Sequence, residues 1–232
     1  MNRIDQRFAD LRASAQKGLV AYITAGDPDL DATKRLAVMM ERVGVDVLEL
    51  GVPFSDPLAD GVVNQQAADR ALKSGTTLPR ILDTVRALRA DGCRIPVVLF
   101  TYFNPVHRYG VERFVADAET AGVDGLLVLD LPADESGPWE KVLDGSGLRQ
   151  IRLIAPTTTE ERIAAIAKRA SGFIYYVSRE GVTGMQQKLA ANMAAMTAKI
   201  HKHTSVPVAV GFGISTPEQA RAAARHAEAV VV

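Results

Sequence analysis

Short runs of nearly unbroken Val, Ile and Leu recur along the chain, separated by stretches in which apolar residues fall three or four positions apart. The runs are L-V-A-Y-I-T-A-G (19–26), V-D-V-L-E-L-G-V (45–52), I-P-V-V-L-F-T-Y-F (95–103), D-G-L-L-V-L-D-L (124–131), R-Q-I-R-L-I-A (149–155), F-I-Y-Y-V-S-R (173–179), V-P-V-A-V-G-F-G (206–213) and E-A-V-V-V (228–232). They are continuous rather than alternating, which is the pattern of parallel strands covered on both faces. Between them, Asp29 to Arg42, Leu78 to Ala90, Val111 to Ala121, Thr159 to Arg169 and Pro217 to His226 read as amphipathic helices, several opened by Asp, Thr or Ser. Eight strands alternating with helices predict an α/β fold, a (β/α)8 TIM barrel, with an extra amphipathic helix over residues 3–16 before the first strand. A doubly wound open sheet is the alternative. The chain stops at Val231-Val232 inside the eighth run, so the expectation is one barrel domain over residues 1–232, truncated at the eighth strand and lacking the final helix.

Composition supports a substantial core and removes several classes of function. The chain has 232 residues, 47% of them hydrophobic, enough for one globular domain. Its 27 basic and 27 acidic residues are dispersed, so no basic face announces nucleic acid and no polybasic segment a membrane. The N-terminus lacks a secretory apolar segment and no run is long enough to span a bilayer, which predicts a soluble cytoplasmic protein. The single cysteine, Cys93, has no Cys or His at metal-ligand spacing and reads as a packing residue. No P-loop, dinucleotide fingerprint or metal cluster is found, and no Lys stands clearly at a catalytic strand end for Schiff-base chemistry.

In barrels of this kind, chemistry gathers at the C-terminal ends of the strands. Here those ends carry G-D-P (26–28), L-E-L-G-V-P-F-S-D-P-L-A-D-G (48–61), Y-F-N-P (102–105), D-L-P-A-D (130–134), A-P-T-T (155–158), S-R-E-G-V-T-G (178–184) and G-F-G-I-S (211–215). Glu49 stands out, a carboxylate between Leu48 and Leu50 that shares its face with Val47 and Gly51. If the leucines face the helices, Glu49 points into the barrel mouth. An unpaired carboxylate there is costly to ionise, and burial raises its pKa toward neutrality, where a general acid or base works best. The competing reading is a structural ion pair, for which Arg152 is the one obvious strand cation, on a face its neighbours do not settle. Asp60, before Gly61 and the helical-looking V-V-N-Q-Q-A-A-D-R-A-L, reads first as a helix N-cap, and Asp56 as a turn residue. G-F-G-I-S followed by T-P-E-Q opens a helix whose amides suit an anion, and the doubly glycined S-R-E-G-V-T-G could close over it. His201 and His203 read as exposed residues at the opposite rim.

The string Y-I-T-A-G-D-P, the stretch L-E-L-G-V-P-F-S-D-P-L-A-D-G, then S-R-E-G-V-T-G and G-F-G-I-S-T-P-E-Q, in this order, resemble the tryptophan synthase alpha chain family. The resemblance implies a (β/α)8 barrel that cleaves indole-3-glycerol phosphate to indole and glyceraldehyde 3-phosphate by a retro-aldol reaction. It implies an acid/base role for Glu49. For Asp60 it implies acceptance of the indole N–H, overturning the capping reading. By the same resemblance Tyr22, Phe100 and Leu127 line the indole pocket, and Phe212 and Gly213 belong to the phosphate loop. Tyr175 lies near the glycerol moiety, and Thr183 and Gly184 lie in the closing loop, with Thr183 orienting the catalytic Asp. Asp56, Pro57, Asn104 and Pro132 fall where the family meets its beta chain in an alpha2beta2 assembly. No cofactor is implied for this chain; pyridoxal phosphate belongs to the beta partner, to which indole is channelled. The sequence departs from the family pattern at Val62 and Asn64, where Pro and Ile are common, and at its end, where a Gly-Ser pair completing the phosphate site is not reached. If the molecule ends at Val232, the expectation is weakened phosphate binding, an uncovered barrel flank and little or no activity.

Overall fold

The computed structural model describes residues 1–132, 135–177, 186–211 and 213–232, with side chains described for all of these except residues 186–191. Nine strand segments run parallel: β1 (Gly18–Thr24), β2 (Val47–Gly51), β3 (Val97–Thr101), β4 (Gly125–Val128), β5 (Arg149–Gln150), β6 (Arg152–Ile154), β7 (Ile174–Val177), β8 (Val208–Gly211) and β9 (Ala229–Val231). Their order in the sheet is β5-β4-β3-β2-β1-β9-β8-β7-β6. The two ends of that order are adjacent in sequence, since only Ile151 separates β5 from β6. One interrupted strand therefore closes the cylinder: β5 pairs with β4, and β6 pairs with β7. Counted this way the eight expected strand positions are all present.

Ten helices accompany the strands among the described residues: α1 (Arg3–Ala13), α2 (Leu30–Val43), α3 (Val62–Lys73), α4 (Leu78–Ala90), α5 (Phe103–Tyr109), α6 (Val111–Ala121), α7 (Gly137–Leu143), α8 (Glu160–Arg169), α9 (Gln186–His201) and α10 (Pro217–Ala224). The expected extra N-terminal helix is α1, three residues shorter than the sequence reading. The short α5 and α7 escaped that reading, because seven residues make fewer than two turns and each carries an early proline, Pro105 or Pro138. In a first turn proline is tolerated, but without a structure it reads as a breaker.

Alternation along the strands divides the core. Leu48, Leu50, Val97, Leu99 and Leu126 face outward onto α4 and α6, packing with Ile81, Val85 and Phe114. Their neighbours Val20, Val47, Val98, Leu127 and Ala209 face inward. At the N-terminal end this inner column is closed by Ile4, Phe8 and Leu11 of α1, with Phe8 5.7 Å from the Phe173 ring.

A ring of charge fastens α1 beneath the strands. Asp124, just before β4, accepts from Arg3 Nη1 at 2.8 Å, Arg89 Nη2 at 2.8 Å and the Val97 amide at 2.9 Å. Asp46, before β2, accepts from Arg7 Nε and from the Leu19 amide, both at 2.6 Å. Asp124 is buried, and Arg89 also donates to the carbonyls of Gly122, Cys93 and Ile95. Removing one member of a buried pair leaves the other charge uncompensated. Asp124→Ala is therefore expected to destabilise the fold by about 3–5 kcal/mol, read from chemical denaturation midpoints at constant m-value. A loss below about 1 kcal/mol would mean that the ring is ornamental.

Candidate active site

Glu49 lies in the middle of β2, in register with Tyr22 of β1 and Val98 of β3. With Leu48 and Leu50 turned outward, it points inward, as alternation requires. It is 1% exposed, and its Oε1 has no hydrogen-bond partner among the described residues. Arg152 gives it no counter-charge. That guanidinium lies on the outer face of β6, bound to Glu140 of α7 and to Ser136 Oγ at 3.0 Å. Desolvation pushes the Glu49 pKa up to about 8, so near neutral pH the group carries its proton.

Around it the inner wall is aromatic and aliphatic. Tyr22 meets Phe100 edge-on, with ring centroids 5.2 Å apart, and Leu127 is buried in the same inner column that Phe100 and Tyr175 pack against. Two tyrosines fit because two strand-end glycines make room. A Cβ on Gly51 would stand 2.1 Å from the Tyr22 hydroxyl, and one on Gly211 would stand 2.7 Å from the Tyr175 hydroxyl. Burial pushes the Tyr22 phenol up to about 12, with the fields of Asp60 and Glu49 adding to it. Burial, then the field of Glu49, also raises Tyr175. Both stay hydrogen-bond donors at physiological pH.

Asp60 ends the loop between β2 and α3. It does not cap the helix: the N-cap is Gly61, and no side chain bonds there. Its Oδ2 instead accepts from Tyr102 Oη at 3.0 Å, while the same phenol oxygen accepts from the Ala59 amide at 2.9 Å. Tyr102 sits at the end of β3, buried, with its ring 5.4 Å from Phe54. The loop is thereby pinned across the mouth, holding a half-buried carboxylate at the rim. Partial desolvation raises the Asp60 pKa, and hydrogen bonds from Tyr102 and Asn64 oppose the rise. Asn64, noted only as a departure from the family pattern, thus touches the acidic group.

The remaining candidates divide. Gly213 follows β8 with φ +70, exposed at the rim. The helix beyond it is capped internally: Thr216 Oγ1 accepts from the Gln219 amide while the Gln219 side chain accepts from Thr216, completing a capping box. That uses part of the amide set expected to serve an anion. Asp56, Asn104 and Pro132 are exposed and Pro57 is half-buried, in loops or first turns after β2, β3 and β4. Thr183, Gly184 and Phe212, and with them the S-R-E-G-V-T-G segment, lie outside the described residues. Among the described residues no group of His, Cys, Asp and Glu is placed to hold a metal ion, and no helix is long and apolar enough to cross a membrane. Sequence reasoning missed Tyr102, whose link to Asp60 spans 42 positions, and Leu129 and Leu153, which pack against the inner column. The period-two step from Leu127 could have found Leu129.

Comparison with known proteins gives a consistent result. A family model described as tryptophan synthase alpha chain matches residues 8–232. The chain is 52% identical to the tryptophan synthase alpha chain of Geotalea daltonii over 232 residues, all of this chain and 88% of that one. It is 50% identical to that of Geobacter sulfurreducens with the same coverage. Among solved structures, tryptophan synthase subunit alpha from Legionella pneumophila superposes with a TM-score of 0.93 at 40% identity, covering 100% of this chain and 86% of that one.

Proposed function

The chain belongs to the tryptophan synthase alpha chain family, the lyases that cleave indole-3-glycerol phosphate, and we propose that Glu49 and Asp60 are the pair that perform this cleavage here. The observation that carries the proposal is Glu49 itself, a fully buried carboxyl at the mouth of a barrel with no counter-charge beside it among the described residues. Burial holds its proton near neutral pH, so it can start the reaction as an acid. Giving that proton to C3 of the indole ring places positive charge on the ring, delocalised onto the nitrogen. The carboxylate so formed takes the proton from the glycerol hydroxyl next to the ring; as that oxygen becomes a carbonyl, the bond from its carbon to C3 breaks. Indole and glyceraldehyde 3-phosphate result, and Glu49 ends protonated as it began. Asp60, held by Tyr102, accepts the indole N–H and opposes the charge that develops there. Tyr22, Phe100 and Leu127 supply the apolar walls, Tyr175 faces the glycerol chain, and Gly213 with Phe212 takes the phosphate. By the family resemblance we assign Thr183 and Gly184, which lie outside the described residues, to substrate binding.

We read the 232 residues as one barrel domain, cytoplasmic, with no cofactor of its own. A beta chain is the partner the family implies; we place the two chains in an alpha2beta2 assembly in which pyridoxal phosphate is held by the beta chain. The rim supports this reading. Beside Asp56 and Pro57, Leu58, Val62 and Val63 are 91%, 68% and 76% exposed, apolar area that a docked chain would remove from water.

Purified protein given indole-3-glycerol phosphate, alone and with a beta chain, is expected to release indole. With Glu49 protonated at the start, kcat/KM should fall as pH rises through about 8. A profile still rising through pH 9 would remove Glu49 as the initiating acid.

A further inference from the structure

Tyr22 carries a hydroxyl that the apolar pocket role does not use. Three features place it. Tyr22 stands in register with Glu49 on the neighbouring strand, both facing inward. The phenol crosses from β1 to β2 over Gly51, where an added Cβ would lie 2.1 Å from its oxygen, so the hydroxyl sits over the inner face of β2, one two-residue step from Glu49 toward the mouth. Beyond it the chain leads into the loop that ends at Asp60. The hydroxyl is loosely held: its neighbour is Thr24 Oγ1 at 3.4 Å, at the long limit of a hydrogen bond.

We propose that Tyr22 is a positioning residue whose hydroxyl donates to the Glu49 carboxylate formed during turnover, stabilising that state and not the resting acid. The inference rests on Glu49 being the acid/base. In the resting protein Glu49 is protonated and its Oε1 has no partner among the described residues. Once the proton has gone to the substrate, the negative oxygen of a side chain that is 1% exposed needs a donor. Tyr22, keeping its own proton to about pH 12, can rotate from Thr24 to supply one. An interaction made only after proton transfer lowers the barrier rather than tightening the ground state. Among the described residues, the titratable groups whose fields meet here are Tyr22 from β1, Tyr175 from β7 and Asp60 from the loop after β2.

Tyr22→Phe keeps the ring and removes only the hydroxyl. The expected result is a fall in kcat of about tenfold with KM within about twofold of wild type. Losing a donor to the carboxylate also raises the Glu49 pKa, moving the alkaline limb of kcat/KM to higher pH. An infrared titration of the Glu49 carboxyl, assigned by difference against Glu49→Gln, measures the same shift without turnover. The proposal falls if Tyr22→Phe matches wild type, or if it raises KM alone with the Glu49 titration unmoved, since either would leave the tyrosine as an apolar wall. Absence of indole release from wild type would count against the lyase reading, while the infrared titration would still decide the role of Tyr22.

Discussion

Glu49→Gln is expected to lower kcat for indole-3-glycerol phosphate cleavage by about 10³-fold or more, at the upper end of what a positioned acid/base contributes, and to raise the stability of the fold at alkaline pH. Glutamine fills the same space between Val47 and Gly51 but cannot give up a proton, so the reaction loses its first step while the barrel stays intact. The stability gain follows from the pKa. In the unfolded chain Glu49 ionises at its ordinary value of 4.5, whereas in the fold it holds its proton to about 8. Between these values the native state binds a proton that the unfolded state has released. Stability therefore declines as pH rises across that window and stays at the lower level beyond it. The amide avoids this loss. Thermal unfolding should show Glu49→Gln above wild type near pH 8.5, with the difference shrinking toward pH 5. Indole release at a tenth of the wild-type rate or more, or an unchanged pH dependence of Tm, would rule the arrangement out.

Asp60→Asn is expected to cost about 10²-fold in kcat with little change in fold. The amide oxygen can still accept from Tyr102, so the loop keeps its pin across the mouth. What goes is the negative charge facing the indole nitrogen, where positive charge grows as C3 takes the proton. Because that interaction strengthens toward the transition state, the loss should appear in kcat more than in KM. Single-turnover cleavage measured with saturating substrate separates the two. A large rise in KM with kcat preserved would recast Asp60 as a binding group only.

Glu49 was legible in the sequence because a strand interior is a demanding context: alternation set its direction, and Arg152 was the one strand cation that offered a structural pair instead. The structure supplies the point the sequence left open, since Arg152 turns outward to Glu140. Asp60 was not legible in the same way. Asp before Gly and a helical stretch is what a cap looks like, and only the family resemblance argued otherwise; the reason it is free for another role is that Gly61 takes the cap position. Tyr102 was invisible because its value lies in a contact with a loop far back in the chain. The broken fifth strand was likewise beyond a pattern that reads R-Q-I-R-L-I-A as one run.

The helix beneath the strands has a consequence for traffic. With Ile4, Phe8 and Leu11 pressed into the column and a belt of paired charges around them, the barrel is a cup rather than a pipe. Among the described residues that end is shut, so a product leaving the inner column passes the lip at the strands' C-terminal ends. On that lip stand the apolar side chains Leu58, Val62 and Val63. A partner seated there would command the door, deciding where the product goes next without touching the chemistry inside.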